Sequence, residues 1–183
     1  TGLDQMLKEL MESNIKCVTT DVDYSPNVPI ILSDNVNGMI QAYDYLYEMG
    51  HRNIAFLSGP LNTLSGRERF IGYQTALTNK SQIYKPHYIA YANDYDFNSG
   101  MDAANVLLTK CSHDMPTALL VGGDMLAIGA MTALENRGLK IPDDISVIGF
   151  DDIEMAKYIK PGLTTVRQDR KLLGKEIANT LVA

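Results

Sequence analysis

Apolar residues along this chain come in two alternating spacings. Leu3, Leu7, Leu10 and Met11 recur at intervals of one helix face, and Lys16–Val22 then reads as a short strand. Val28–Leu32 is a second apolar, β-branched run. Ser33, Asp34 and Asn35 break the pattern and can cap a helix over about Val36–Met49, which Gly50 closes. The alternation continues with strand Asn53–Ser58, helix Ser65–Thr78, strand Tyr88–Tyr91 and helix Ser99–Leu108. Strand Thr117–Val121, helix Asp124–Asn136 ended by Gly138, and strand Ile145–Phe150 follow Pro116. Leu163–Val166 is a last extended piece before an amphipathic helix over Asp169–Leu181.

Repeated β–α alternation with solidly apolar strands predicts an α/β fold, a doubly wound parallel sheet with helices on both faces. The region 34–163 reads as a nearly whole subdomain. Residues 1–33 and 164–183 read together as part of a second one, because the first helix and strand have nothing before them to pair with. No repeat, low-complexity run or Pro/Gly linker divides the chain.

Composition narrows the function. Of the 183 residues, 45% are hydrophobic and 21% charged, which excludes disorder. No apolar run approaches the ~20 residues of a membrane span, so no membrane partner is expected. A net charge of −6 argues against this segment gripping nucleic acid by itself, since phosphate binding needs clustered Lys and Arg. Cys17 and Cys111 lack metal-ligand spacing and read as small apolar residues in a reducing, cytoplasmic setting.

In an open parallel sheet, ligands bind beyond the carboxyl ends of the strands. Those ends carry Gly59-Pro60 through Ser65 with Arg67 and Arg69, then Asn93-Asp94-Tyr95-Asp96-Phe97, Gly122-Gly123-Asp124, and Gly149-Phe150-Asp151-Asp152. Hydroxyls, a guanidinium, an aromatic ring, bare glycine backbone and carboxylates thus converge on one rim. Such a set suits a small polyhydroxylated ligand, with Arg and Asp taking paired hydroxyls and a ring stacking on the C–H face. Each residue also has a plainer role: Asp124 as a helix N-cap, the glycines as a tight turn, Asp151 as the partner of a structural arginine, Tyr95 as a cover on the core edge, Arg69 as a solvated helix charge.

Enzymatic constellations are absent: no Gly-x-Ser-x-Gly, no complete phosphate loop, no His-Glu-x-x-His, no Gly-x-Gly-x-x-Gly. His51 falls between a helix and a strand and reads as a turn residue, while His87 and His113 lie in connections. No histidine reaches the rim, so neither an enzyme nor a bound cofactor or metal is expected. A third, α/β-enzyme reading rests only on the fold's neutrality toward function.

Several runs resemble the LacI/GalR family of bacterial transcription regulators. They are Ser33-Asp34-Asn35 with Gly38; Gly50-His51-Arg52-Asn53-Ile54-Ala55-Phe56; Gly59-Pro60, Arg69 and Gly72-Tyr73; Pro116-Thr117-Ala118; Asp124 to Gly129; Gly138 to Asp152; and Pro161 to Asp169 with Leu173-Gly174. The resemblance implies a periplasmic-binding-protein-like core that binds an effector between two subdomains. It also implies a helix-turn-helix head that carries operator DNA binding, and the head, the hinge and the start of the N-subdomain are absent from this sequence. Carried over by position, effector contacts fall on Asp21, Ser65, Arg69, Tyr95, Gly123, Asp151 and Gln168. Members often place a polar residue such as Asn at Gly123, and purine-responsive members resemble the Gly-Gly-Asp run. A sugar-like effector stands first and a purine second. Some members take a phosphocarrier protein as corepressor. The chief alternative is a periplasmic-type sugar-binding protein of a transport system.

The helix Asp124–Asn136 is apolar nearly all round. A sheet covers only one side of such a helix, so the other side needs a neighbour unless its apolar residues stay singly exposed; the resemblance implies that the neighbour is a twofold mate in a homodimer, with Met125, Ile128 and Met131 at the interface.

Overall fold

The computed structural model describes residues 2–13, 15–20 and 28–182, with side chains from residue 5 onward. The chain forms two compact units, one running up to Ser33 and resuming at Asp169, the other spanning Asp34–Gln168.

The first unit holds α1 (Gly2–Glu12) and α6 (Arg170–Val182), numbered in chain order. Asp169 opens α6 by accepting from the Leu172 N–H at 3.0 Å. The expected strands Lys16–Val22 and Val28–Leu32 are reduced, among the described residues, to one parallel bridge between Thr19 and Ile30. Asp21 and Val22 lie outside the described residues.

The second unit builds the sheet. Its elements are α2 (Asn35–Glu48), β1 (Ile54–Ser58), α3 (Leu64–Asn79), β2 (Ile89–Tyr91), α4 (Phe97–Lys110), β3 (Ala118–Val121), α5 (Asp124–Asn136), β4 (Ser146–Asp151) and β5 (Thr164–Arg167). The strands run parallel in the order β2-β1-β3-β4-β5. Thr164–Arg167, assigned by sequence to the flanking unit, is instead the edge strand of this sheet, and the compact unit extends to Gln168. The reason is ladder pairing: Ile148 to Asp151 register against Thr164 to Arg167.

Alternation along the strands sorts the core into two layers. Ile54, Phe56, Leu120, Ile148 and Phe150 pack with Met39, Tyr43, Leu46, Tyr73 and Ala76 of α2 and α3. Ala55, Leu57, Leu119, Val121 and Val147 pack with Ala103, Leu107, Leu126, Ala130 and Leu134 of α4 and α5. Each fully buried Leu, Ile or Phe contributes about 1.5–3 kcal/mol of transfer free energy to these two layers.

Helix starts follow their caps. Asp34 accepts from the Asn37 N–H at 3.0 Å, Thr63 from Gly66 at 3.1 Å and Asp96 from Ser99 at 2.7 Å. Asp96 therefore starts α4 two residues earlier than the apolar spacing alone indicated. Gly50 and Gly138, with φ of 98° and 79°, follow α2 and α5 in the left-handed conformation that ends helices.

The packing of α5 changes the inference drawn from its apolar surface. A Cβ on Gly129 would lie 2.0 Å from the Phe97 carbonyl oxygen, and one on Gly100 would lie 2.3 Å from that of Leu126. The two glycines let α4 lie directly against α5, so α4 supplies the second cover that was expected from another subunit. Met131 is 5% exposed and sits within that core, which removes it from any outer surface. Met125 and Ile128 remain half-buried.

Candidate functional site

The strand order reverses direction between β1 and β3: the chain leaves β1 for β2 on one side and returns to β3 on the other. This switch opens a crevice at the carboxyl ends of β1 and β3, the position where doubly wound sheets take ligands. Gly59 and Gly122 line it so closely that a Cβ on Gly122 would lie 2.9 Å from the Gly59 nitrogen.

Arg69 is the central group, and it is not the solvated charge that a helical arginine usually is. Only 5% exposed, it is the sole buried cation among the described residues. Its Nε donates to Asn35 Oδ1 at 2.9 Å, Nη1 to the Gly122 carbonyl at 2.7 Å and Nη2 to Asp151 Oδ1 at 3.1 Å. The guanidinium carbon stands 3.9 Å from the centroid of the Phe150 ring, a cation–π placement. Gln168 donates its side-chain amide to the same Asp151 oxygen.

Asp151 lies at the end of β4 with φ of 118°, and Asp152 follows at 51°. Side-chain-bearing residues at positive φ cost of order 1–3 kcal/mol, and such strain persists where the surroundings over-determine it. Here Arg69 and Gln168 hold Asp151, and Arg167 Nε donates to Asp152 Oδ2 at 2.6 Å. A quarter of the Asp151 side chain (26%) stays open to solvent against 6% for Arg69, so the carboxylate is the reachable half of the pair.

Tyr95 crosses the crevice. A Cβ on Gly59 would lie 2.4 Å from its ring and one on Gly123 3.1 Å, so both residues must be small for the ring to rest there. Its hydroxyl shares a hydrogen bond with Ser65 at 2.9 Å and approaches the Thr63 hydroxyl at 3.4 Å. Gly123 also faces Asp151, whose Oδ2 would be 3.7 Å from an added Cβ. Of the seven positions singled out in the sequence, Ser65, Arg69, Tyr95, Gly123, Asp151 and Gln168 therefore meet on one rim. Asp21 lies outside the described residues.

Asp124 does not cap α5; Gly123 occupies that position. Its fully buried carboxylate instead accepts from the Thr165 hydroxyl at 2.6 Å and the Ile153 N–H at 2.9 Å, pinning the start of α5 to β5 and to the loop after β4. Burial pushes the carboxyl above its ordinary 3.8, against the pull of those two bonds. Gly149 makes room for it, because a Cβ there would lie 2.2 Å from Asp124 Oδ1.

Asn35, Thr63, the Gly122 carbonyl and Phe150 also belong to this network, though no sequence pattern marks them as its members. Asn35 and Thr63 stand in runs already marked as caps and strand-end polar residues, and that was the available signal. Two histidines are accounted for at the opposite, amino ends of the strands. His51 Nδ1 bonds the Thr117 hydroxyl at 2.9 Å, and burial lowers its pKa. Lys85, His87 and Tyr88 converge on Asp114, holding its carboxyl down at about 2, with Lys85 the largest influence. Among the described residues no group of three or more His, Cys, Asp or Glu could hold a metal ion. None of the described helices is long and apolar enough to cross a membrane.

Comparison with known proteins adds a second line. The family model of the periplasmic binding protein-like domain matches residues 43–183. The chain is 34% identical over 186 residues to the ribose operon repressor of Escherichia coli K12, covering 100% of this chain and 55% of that protein. It is 32% identical over 170 residues to the HTH-type transcriptional repressor PurR of Haemophilus influenzae PittEE, covering 93% and 50%. Among solved structures, the transcriptional regulator CelR in complex with cellobiose superposes with a TM-score of 0.86 at 31% identity, covering 96% of this chain and 54% of that one. The chain thus spans about half the length of the curated relatives it matches.

Proposed function

Because the chain belongs to the family of periplasmic binding protein-like domains, we propose that it is the effector-sensing core of a LacI/GalR-type transcriptional repressor. The two curated relatives named above are transcriptional repressors. The observation that carries the reading is buried Arg69 paired with the partly open Asp151 carboxylate at the β1/β3 crevice, with Tyr95 beside it. Arg69, the one buried cation among the described residues, is matched by a carboxylate, so the rim suits a neutral ligand rich in hydroxyl or ring N–H groups. A sugar is the first choice and a purine base the second. A ribose operon repressor and a regulator bound to cellobiose stand among the similar proteins, which favours the sugar. Occupancy shifts operator affinity through a DNA-binding head elsewhere in the protein, and by no more than the effector's preference for one conformational state.

The test is calorimetric titration with D-ribose, cellobiose, adenine and guanine. Hydrogen bonds to charged groups are worth about 1.5–3 kcal/mol, so Arg69→Ala and Asp151→Asn should each weaken binding about tenfold to a hundredfold. Unchanged affinity in both variants would take the pair out of the site.

We also propose that α5 contributes Met125 and Ile128 to a homodimer, the half-buried apolar positions left beside the α4 contact. Met131, packed in the core, is not part of that surface.

A further inference from the structure

We propose that Asn35 is a positioning residue for effector recognition, acting through Arg69; the proposal rests on the effector reading of this rim. Asn35 is the first residue of α2 and only 3% exposed, an expensive place for an amide unless both ends are bonded. Both ends are. Its Oδ1 accepts from Arg69 Nε at 2.9 Å and its Nδ2 donates to Glu68 Oε2 at 2.8 Å. Charge fixes which way the amide faces, since a reversed amide would set donor against guanidinium and oxygen against carboxylate.

That bond determines where the rest of the guanidinium goes. An arginine side chain ends in a rigid planar fork, so fixing Nε fixes the plane. With Nε on Asn35 and Nη1 on the Gly122 carbonyl, the plane lies over Phe150 and Nη2 is delivered to Asp151. Of the pair, the Asp151 side chain is 26% open to solvent and that of Arg69 6%. Asn35 touches none of the rim's exposed atoms; its influence passes through the arginine.

The position of Asn35 adds a consequence. The second unit begins at Asp34 and ends at Gln168, and Gln168 bonds the same Asp151 oxygen that takes Nη2. The entry and exit of the unit are therefore both tied to one guanidinium–carboxylate pair. A ligand that draws on that pair perturbs both ends at once.

Nitrogen-15 NMR of the Arg69 Nε–H and calorimetry with D-ribose, cellobiose, adenine and guanine test the proposal. In the wild-type protein the Arg69 Nε–H should exchange slowly with water, and Asn35→Ala should abolish that protection while circular dichroism shows an intact fold. Asn35→Asp combined with Glu68→Gln restores an acceptor for Nε and a donor across the 35–68 contact, and should recover the protection. Affinity for whichever probe the wild type binds should fall about tenfold in Asn35→Ala, a loss of about 1.4 kcal/mol. In an Arg69→Lys background, Asn35→Ala should cost nothing further, because its effect runs through the arginine. Rapid exchange of the wild-type Nε–H, or additive losses in the double variant, would overturn the role of Asn35. If no probe binds the wild-type protein, the effector reading fails and the exchange measurement alone decides whether Asn35 orients Arg69.

Discussion

Replacing Gly129 with alanine adds one methyl group to the middle of α5, a change that an isolated helix favours by about 1 kcal/mol. In this protein the new carbon would stand 2.0 Å from the Phe97 carbonyl oxygen and 2.8 Å from the Met101 nitrogen. Carbon and oxygen in such contacts normally sit about 3.3 Å apart or more, so α4 has to retreat by over ~1 Å at the crossing. Both contacting atoms belong to the main chain, and no rotamer change relieves them. Overpacking of this kind costs about 1–3 kcal/mol, and a clash with rigid backbone belongs at the upper end. After the propensity gain, the net destabilisation is about 2 kcal/mol. With a urea slope of ~2 kcal/mol per molar, the midpoint should drop by about 1 M at unchanged slope. Gln74→Ala, on the exposed face of α3, serves as the control and should stay within about 0.5 kcal/mol of wild type. A Gly129→Ala midpoint equal to or above wild type would mean that α4 does not fill the second side of α5.

Asp124→Asn should remove a pH dependence of stability. The native carboxyl titrates above its ordinary value because it is buried, so its contribution is fully present below about pH 4 and is lost as pH rises through the raised native value. The difference in unfolding free energy between wild type and variant should fall as pH rises from 4 to 7; a difference that does not change with pH would refute this. Ile128→Glu should convert dimers to monomers in sedimentation equilibrium, since two unpaired charges facing each other across a twofold axis each cost several kcal/mol. A variant that remains dimeric would move the interface away from α5.

The parallel sheet was legible because its strands are apolar on both faces and its helices carry their own stop signals; α5 runs over Asp124–Asn136 as its pattern indicated. What stayed hidden depended on partners distant in sequence. Leu163–Val166 reads as an extended piece wherever it docks, and only pairing with β4 places it in this sheet. The apolar girdle of α5 counts buried sides but cannot say whether a neighbouring helix or another chain covers them; Gly100 and Gly129, small residues inside helices, were the available clue. At the rim, residue types suggested the chemistry of Arg69, Tyr95 and Asp151. Their mutual pairing, and the recruitment of Asn35 from another helix, are properties of the fold that no local pattern encodes. Asp124 shows the same limit: a carboxylate at a helix start looks like a cap until the hydroxyl of Thr165, from the far edge of the sheet, claims it.

The division of the chain bears on how it is made. One unit is a continuous stretch, Asp34–Gln168, whereas the other is interrupted by it. A ribosome delivers the continuous unit whole before α6 has emerged, at about 5–20 residues per second. Once that unit has folded, the bonds running from Asn35 through Arg69 and Asp151 to Gln168 hold its two ends at the same rim. The separated halves of the interrupted unit are then brought near each other without a search through an open loop of that length, a closure that otherwise costs about 4 kcal/mol from its length dependence alone. Variants that weaken the rim should therefore also delay the docking of α6 during synthesis.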